Sequence, residues 1–189
     1  MRTDKCFREG VLLVLLLLLP ALKAWPQKAG ISTNLLEYIN MGTLNAEASY
    51  SFSRYWTVNA GVRYNPFHIK MQGKEVNNRQ QSYYAGVRYW PWYAYSGWWV
   101  GGKARYQEYN AGGLLSRRTD EGDRFGLGFS AGYAYMLGKH VNLDFGLGVW
   151  GGYDKYVSYS CPTCGVTTDA GARFFVLPDE VLVAITYVF

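Results

Sequence analysis

Arg124-Phe125-Gly126-Leu127-Gly128-Phe129-Ser130-Ala131-Gly132-Tyr133-Ala134-Tyr135-Met136 decides the fold. Its odd positions hold Phe125, Leu127, Phe129, Ala131, Tyr133 and Tyr135; its even positions hold Arg124, Gly126, Gly128, Ser130, Gly132 and Ala134. Successive side chains of an extended chain leave opposite faces, so a period of two with one apolar face marks a strand. A helix would need its apolar residues three and four apart.

The same period runs outward from this stretch. Toward the end of the chain, Val141 to Val149 sets Val141, Leu143, Phe145, Leu147 and Val149 against Asn142, Asp144, Gly146 and Gly148, and the last stretch sets Val181, Val183, Ile185, Tyr187 and Phe189 against Leu182, Ala184, Thr186 and Val188. Toward the beginning, Trp98 to Gln107, Ser82 to Tyr89, Tyr55 to Tyr64 and Thr43 to Phe52 alternate likewise, and only the first candidate strand, about Ala29–Tyr38, alternates poorly. These stretches have the length a tilted strand needs to cross a bilayer. The expected fold is all-β: an eight-stranded antiparallel up-and-down transmembrane β-barrel.

Alternation alone does not say which face meets lipid, since a soluble sandwich or lipocalin-like barrel turns its apolar face inward. Three features favour an apolar exterior. The polar face is rich in glycine as well as charge, which suits a cramped lumen filled by side chains. Tyr50, Phe52, Tyr55, Trp56, Tyr64, Tyr89, Trp90, Trp92 and Trp98 crowd the strand ends, where an interfacial girdle belongs. The chain closes on Tyr187 and Phe189, the aromatic terminal pattern that barrel assembly machinery reads. Connections supply an independent check. Short links fall at Ser53–Arg54, Trp90–Ser96 and Leu137–His140, and long polar ones at Pro66–Gln80, Tyr109–Asp123 and Asp154–Glu180. That alternation, broken only by the short link near Ile39–Gly42, fits short periplasmic turns and long outer loops.

The N-terminus gives the compartment. Arg2, Lys5 and Arg8 precede an unbroken Val/Leu run from Val11 to Leu19, then Pro20 and a small residue at Ala24. This is the layout of a secretory signal peptide, and a nine-residue run spans only about 14 Å as a helix, too short for a membrane anchor. Cys6 lies before the run and so is not a lipoprotein acylation site. The expected organisation is a signal peptide at 1–24 and one outer-membrane barrel domain at 25–189. Removing the signal lowers the formal charge from +5 to about +3, too mild and dispersed for nucleic acid. With 17 Tyr, 7 Trp, 9 Phe and 22 Gly, the composition suits a barrel and not a helical domain.

From Thr33 onward the chain resembles a family of small Bacteroidetes outer-membrane proteins catalogued only as a domain of unknown function. The resemblance is carried by Asn34-Leu35-Leu36, Gly61-Val62-Arg63-Tyr64-Asn65-Pro66, Ala85-Gly86-Val87-Arg88-Tyr89-Trp90, Tyr133-Ala134-Tyr135 with Leu137-Gly138-Lys139, and Tyr153-Asp154-Lys155-Tyr156 leading to Cys161-Pro162-Thr163-Cys164-Gly165 and the terminal Tyr187-Val188-Phe189. It implies an OmpA-like eight-stranded barrel, brings no chemistry, and hints that such proteins accompany surface-fibre components.

Candidate chemistry is sparse. Glu47, Arg63, Arg88, Lys103, Arg105, Arg124 and Asp144 fall on the inward face. Eight strands leave room for side chains and little else, so these charges read as a plug of ion pairs, with Glu47 and Asp144 each expected to have a cation partner. The surplus of cations among them is what an anion-selective path would also show. Cys161 and Cys164 could be a redox pair or half a zinc site, but zinc wants two further ligands and a redox pair wants a helix N-terminus. At an oxidising surface the simpler reading is a loop-stapling disulfide. His68 stands alone on the presumed outer side, so no nucleophile–base set points to an enzyme. Trp90, Trp92 and Trp98 read as interfacial anchors. The expectation is a non-enzymatic outer-membrane barrel without cofactor, monomeric, in contact with membrane lipid and assembly machinery. Its outer loops would meet a surface protein or glycan, including lipopolysaccharide.

Overall fold

Period-two patterning becomes strand almost wherever it occurs. The computed structural model describes residues 28–40, 42–71, 74–112, 119–160 and 167–189. The strands are β1 (Ala29–Asn34), β2 (Leu44–Ser53), β3 (Trp56–Asn65), β4 (His68–Met71), β5 (Lys74–Tyr89), β6 (Gly97–Gly112), β7 (Thr119–Met136), β8 (Val141–Tyr159) and β9 (Thr167–Val188), with one short helix, α1 (Leu35–Ile39). All pairings are antiparallel, and β3 also pairs with β5 while β1 pairs with β9, so eight strands close into a ring. The extra strand, β4, continues β3 beyond Pro66–Phe67 and pairs with β5 alone. Pro66 has no N–H to give the ladder, and Phe67 N donates to Asn65 Oδ1 at 3.0 Å across the break.

Burial is inverted relative to a soluble barrel. Along β3, Trp56, Val58, Val62 and Tyr64 are 41–47% exposed, while Thr57, Asn59, Arg63 and Asn65 are at most 7% exposed. Apolar side chains face out and polar ones face in. The lipocalin-like alternative needed the opposite.

Three segments expected as long polar loops are mostly strand. β5 starts at Lys74, β6 and β7 run to Gly112 and from Thr119, and β8 and β9 run to Tyr159 and from Thr167. The tall strands rise at the end of the ring opposite the one where β1 begins and β9 stops; these ends are called far and near below. At the far end the backbone ladder continues while the side chains turn polar on both faces, so the period-two signal vanishes without the strand ending. The signal segment at 1–24 and both loop cysteines, Cys161 and Cys164, lie outside the described residues.

The first strand is shorter than its expected Ala29–Tyr38. Asn45 ends the β1–β2 ladder, its Oδ1 accepting from Asn34 N at 2.6 Å and its Nδ2 donating to Asn34 O at 2.9 Å. Asn34 then caps α1, its Oδ1 accepting from Leu36 N, with Glu37 placed in the first turn where the helix end favours an acid. The same Oδ1 accepts from Val183 N at 3.2 Å, so one amide joins the helix to β9.

Candidate functional site

Among the described residues the lumen of the ring is where the fold gathers charged and aromatic side chains at depth, and it is filled in layers. At the near end, Trp90 and Trp99 are each 1% exposed and cluster with Tyr95, Ala134, Leu182, Ala184 and Val188. Trp90 Nε1 donates to Thr57 Oγ1 at 3.1 Å. Trp99 lies against bare backbone: a Cβ at Gly132 or Gly146 would come within 2.5 or 2.9 Å of its Cζ2. Those two glycines are the space the indole occupies. Tyr95, which sits at φ 65, donates its hydroxyl to Ser49 Oγ at 3.2 Å, and its carbonyl accepts from Asn142 Nδ2 at 2.6 Å. Burial pushes the Tyr95 hydroxyl above its ordinary pKa, so it stays protonated through the physiological range. Trp90 is therefore not the interfacial anchor expected of it; Trp92 and Trp98, at 58% and 60% exposed, do point outward. The turn after β5 folds Trp90 back into the ring, which its position at a strand end did not reveal.

Above this layer Arg88 Nη2 meets Glu47 Oε1 at 2.8 Å, and Asn59 Nδ2 donates to Glu47 Oε2 at 3.1 Å. The Arg88 guanidinium lies 4.6 Å from the Trp99 ring centre, tying the two layers together. Asp144 accepts from the Thr186 hydroxyl at 2.5 Å and lies within electrostatic reach of Arg88, the cation that also meets Glu47. The space left among Glu47, Arg63, Tyr84 and Arg88 is about 10 Å³, no more than a single water needs.

Toward the far end the lumen becomes an ion network. Arg63 Nε reaches Glu37 at 2.8 Å; Lys103 Nζ and Arg105 Nη1 reach Asp179 at 2.5 and 2.6 Å, with Arg63 Nη1 at 3.7 Å from the same carboxylate. Higher still, Asp154 takes the Arg173 Nε at 2.9 Å and the Tyr109 hydroxyl at 2.8 Å, with Arg124 Nε at 3.5 Å. The cation surplus read from the sequence is thus corrected. Glu37 was read as part of a strand, and Asp154 and Asp179 as part of a loop, yet all three face inward and supply the missing negative charge.

Asp179 gets there by a β-bulge. Glu180 pairs with Gly148 and Pro178 with Val149, leaving Asp179 as the extra residue on β9. A bulge re-aims one side chain, and here it drives a carboxylate whose side chain is fully buried into the lumen. Pro178 inside an apolar run was the sequence signal, because proline within a sheet marks a bulge or an edge.

Larger cavities lie on either side of the packed middle. One of about 350 Å³ lies among Arg63, Arg105, Arg124, Gln80 and Gln107 at the far end, and one of about 680 Å³ opens at the near end among the short turns. At the closing seam Phe189 N donates to Ala29 O at 2.8 Å, Lys28 N donates to Phe189 O at 3.1 Å, and Tyr187 stacks with His140 at 5.8 Å. Among the described residues no group of three His, Cys, Asp or Glu side chains is arranged to hold a metal ion, and no helix is long and apolar enough to cross a membrane.

The family described as "Protein of unknown function (DUF3575)" matches residues 11–189. No curated protein and no solved structure matches the chain.

Proposed function

We propose that this chain, which belongs to the DUF3575 family and closes as an eight-stranded barrel, is an integral outer-membrane protein that presents its far end as a recognition surface. The observation that carries the proposal is the inverted burial, with exposed apolar side chains around a polar interior, which is stable only where hydrocarbon replaces water outside. A row of outward rings crosses neighbouring strands in register, through Tyr83, Tyr106, Phe125, Tyr153 and Phe174, and supports an aromatic belt at a membrane interface. In this reading the near end faces the periplasm, Tyr187 and Phe189 belong to the strand that the assembly machinery reads, and the tall β5–β9 hairpins stand in the medium. Their partner is a surface protein or a glycan. An OmpA-like character, a Bacteroidetes origin and a link to surface fibres belong to the same proposal. So does the absence of catalysis, since the buried carboxylates and cations in the lumen are engaged with one another.

The competing reading is a narrow anion path through a basic lumen. The aromatic layer at Trp90 and Trp99, and the neutralisation of Lys103 and Arg105 by Asp179, argue for a plug. Electrophoresis of an outer-membrane fraction, unheated and boiled, tests the main proposal: a folded barrel resists SDS and shifts its mobility only on heating. Recovery in the soluble periplasm with no shift would sink it. Planar-bilayer recordings separate plug from path; steady current steps removed by Arg63→Ala or Arg105→Ala would favour the path.

A further inference from the structure

The wall of the ring is interrupted between β1 and β9. β1 ends at Asn34, opposite Ala184, whereas β9 reaches up to Thr167. Among the described residues no strand pairs with β9 on that side above Ala184. The five-residue α1 stands there instead, and the Asn34 amide ties it to β9, its Oδ1 accepting from Val183 N at 3.2 Å and its Nδ2 donating to Val181 O at 3.3 Å.

In hydrocarbon an unmet backbone group is costly, so a slot in a barrel wall has to be built. Two features build this one. The Asn34 side chain satisfies the edge of β9 at Val181 and Val183. Backbone groups of a strand point alternately to its two sides, and the extra residue Asp179 shifts that alternation. The next position turned toward the slot is then Pro178, which has no N–H to leave unmet.

The far-end cavity of about 350 Å³ lies behind the slot, since both banks line it: Leu36 from α1, and Leu177, Pro178 and Val181 from β9. The rim outside is exposed and apolar, at Leu35, Ile39, Val176 and Val181. Deeper in, the lining turns polar and includes Gln80, Gln107 and Arg124. Its carboxylates, Glu37 and Asp179, are neutralised by Arg63, Lys103 and Arg105. Arg124 is held differently. Its guanidinium lies 3.7 Å from the Tyr109 ring centre, and its Nε stands 3.5 Å from Asp154, longer than a strong hydrogen bond. A guanidinium laid on a ring keeps its edge donors aimed and takes a carboxylate through two of them at once.

We propose that the slot and the cavity bind a single-chain amphiphile with a carboxylate head, a long-chain fatty acid drawn from the membrane. The head lies at Arg124, and the chain passes out between α1 and β9 into the hydrocarbon. The apolar rim selects for a ligand with a chain, and Arg124 for one with an anionic head. The proposal rests on the outer-membrane reading, which puts lipid outside the slot.

The test uses the folded chain in phosphatidylcholine nanodiscs, with its heat-shift on electrophoresis recorded first. Uptake of radiolabelled hexadecanoate is measured against empty discs at mildly alkaline pH, where the acid is ionised. Hexadecanol supplies the same chain without charge, and acetate the same head without a chain. Saturable uptake of hexadecanoate beyond that of empty discs is expected, with both controls about tenfold weaker or more. Arg124→Gln should weaken hexadecanoate about tenfold and leave hexadecanol unchanged. Leu36→Trp, which fills the slot from α1, should weaken both. Uptake no greater than that of empty discs, with the heat-shift intact, overturns the proposal and leaves the outer-membrane reading standing. Full binding in both variants also overturns it, marking ordinary lipid contact on the outer wall. Hexadecanol bound as tightly as hexadecanoate overturns it too, because no anionic head is then read. Should Arg124→Gln lose its heat-shift, Leu36→Trp decides between these outcomes. A chain recovered soluble in the periplasm fails the outer-membrane reading before the slot is reached.

Discussion

The near and far halves of the lumen solve one packing problem with opposite chemistry. The near half is filled by Trp90, Tyr95 and Trp99, seated on glycine backbone and needing few polar partners. The far half is filled by Arg63, Lys103, Arg105, Arg124 and Arg173 around Glu37, Asp154 and Asp179. Aromatic filling depends on shape, and many small contacts share the load. Ionic filling hangs on a few carboxylates, because each desolvated charge must find its counter-charge or destabilise the fold. One ring can therefore be tolerant at one end and brittle at the other.

The hardest blow to that contrast is Asp179→Ala, which strands Lys103 and Arg105 together. The expected loss is about 3–5 kcal/mol, read from the urea midpoint of the folded barrel by tryptophan fluorescence. Restoring most of it with Lys103→Met and Arg105→Leu in the same chain would show that the penalty lies in the unpaired charges. A single-variant loss no larger than that of an exposed substitution would mean the far half is not brittle. Between the halves sits Tyr84, over which Arg63 and Lys103 both lie, at 5.2 and 4.9 Å from the ring centre. A Cβ at Gly61, its cross-strand neighbour, would come 2.3 Å from the Tyr84 hydroxyl oxygen. Gly61→Ala should accordingly cost about 1–3 kcal/mol, and Tyr84→Ala in the same chain should remove the incremental part of that cost. Additive losses in this pair would show that the ring moves aside freely and that shape is not what holds the near half. The smallest effect is expected at Asn34→Ala, about 1 kcal/mol from the lost helix cap, with faster amide exchange at Leu36 and Val183. Unchanged exchange there would detach α1 from the argument altogether.

How much of this was legible follows the same division. From Thr43 to Tyr64 and from Trp98 to Gln107 the outward side chains are apolar, so a period of two stood out and placed Glu47, Arg63, Lys103 and Arg105 on the inner face. Beyond Tyr109 and Asp154 the strands leave the apolar zone, both faces become polar, and the same backbone ladder read as loop. Asp154 was lost with it; Asp179 was lost to the bulge after Pro178, which breaks the alternation inside an apolar run. Trp90 misled because a tryptophan at a strand end can turn either way, and only the turn that follows decides. Glu37 was hidden for a further reason: an Asn34 that ends a strand and caps a helix with one side chain leaves no break in composition.

The closing seam has a consequence for the order in which the molecule is made. β1 meets β9 along only five residue pairs, from Gly30↔Val188 to Asn34↔Ala184, and those partners lie about 150 residues apart in the chain. Every other pairing of the ring joins neighbours in sequence and can form as hairpins soon after each is available. The ring therefore shuts last, and it shuts on β1, the strand with the shortest ladders of the ring: four pairs to β2 and five to β9. Until the final strand arrives, the unshut intermediate is a curved sheet with two bare edges, vulnerable to pairing with the wrong chain. A protein built this way has good reason to keep its last strand in the hands of a chaperone until the first strand is within reach.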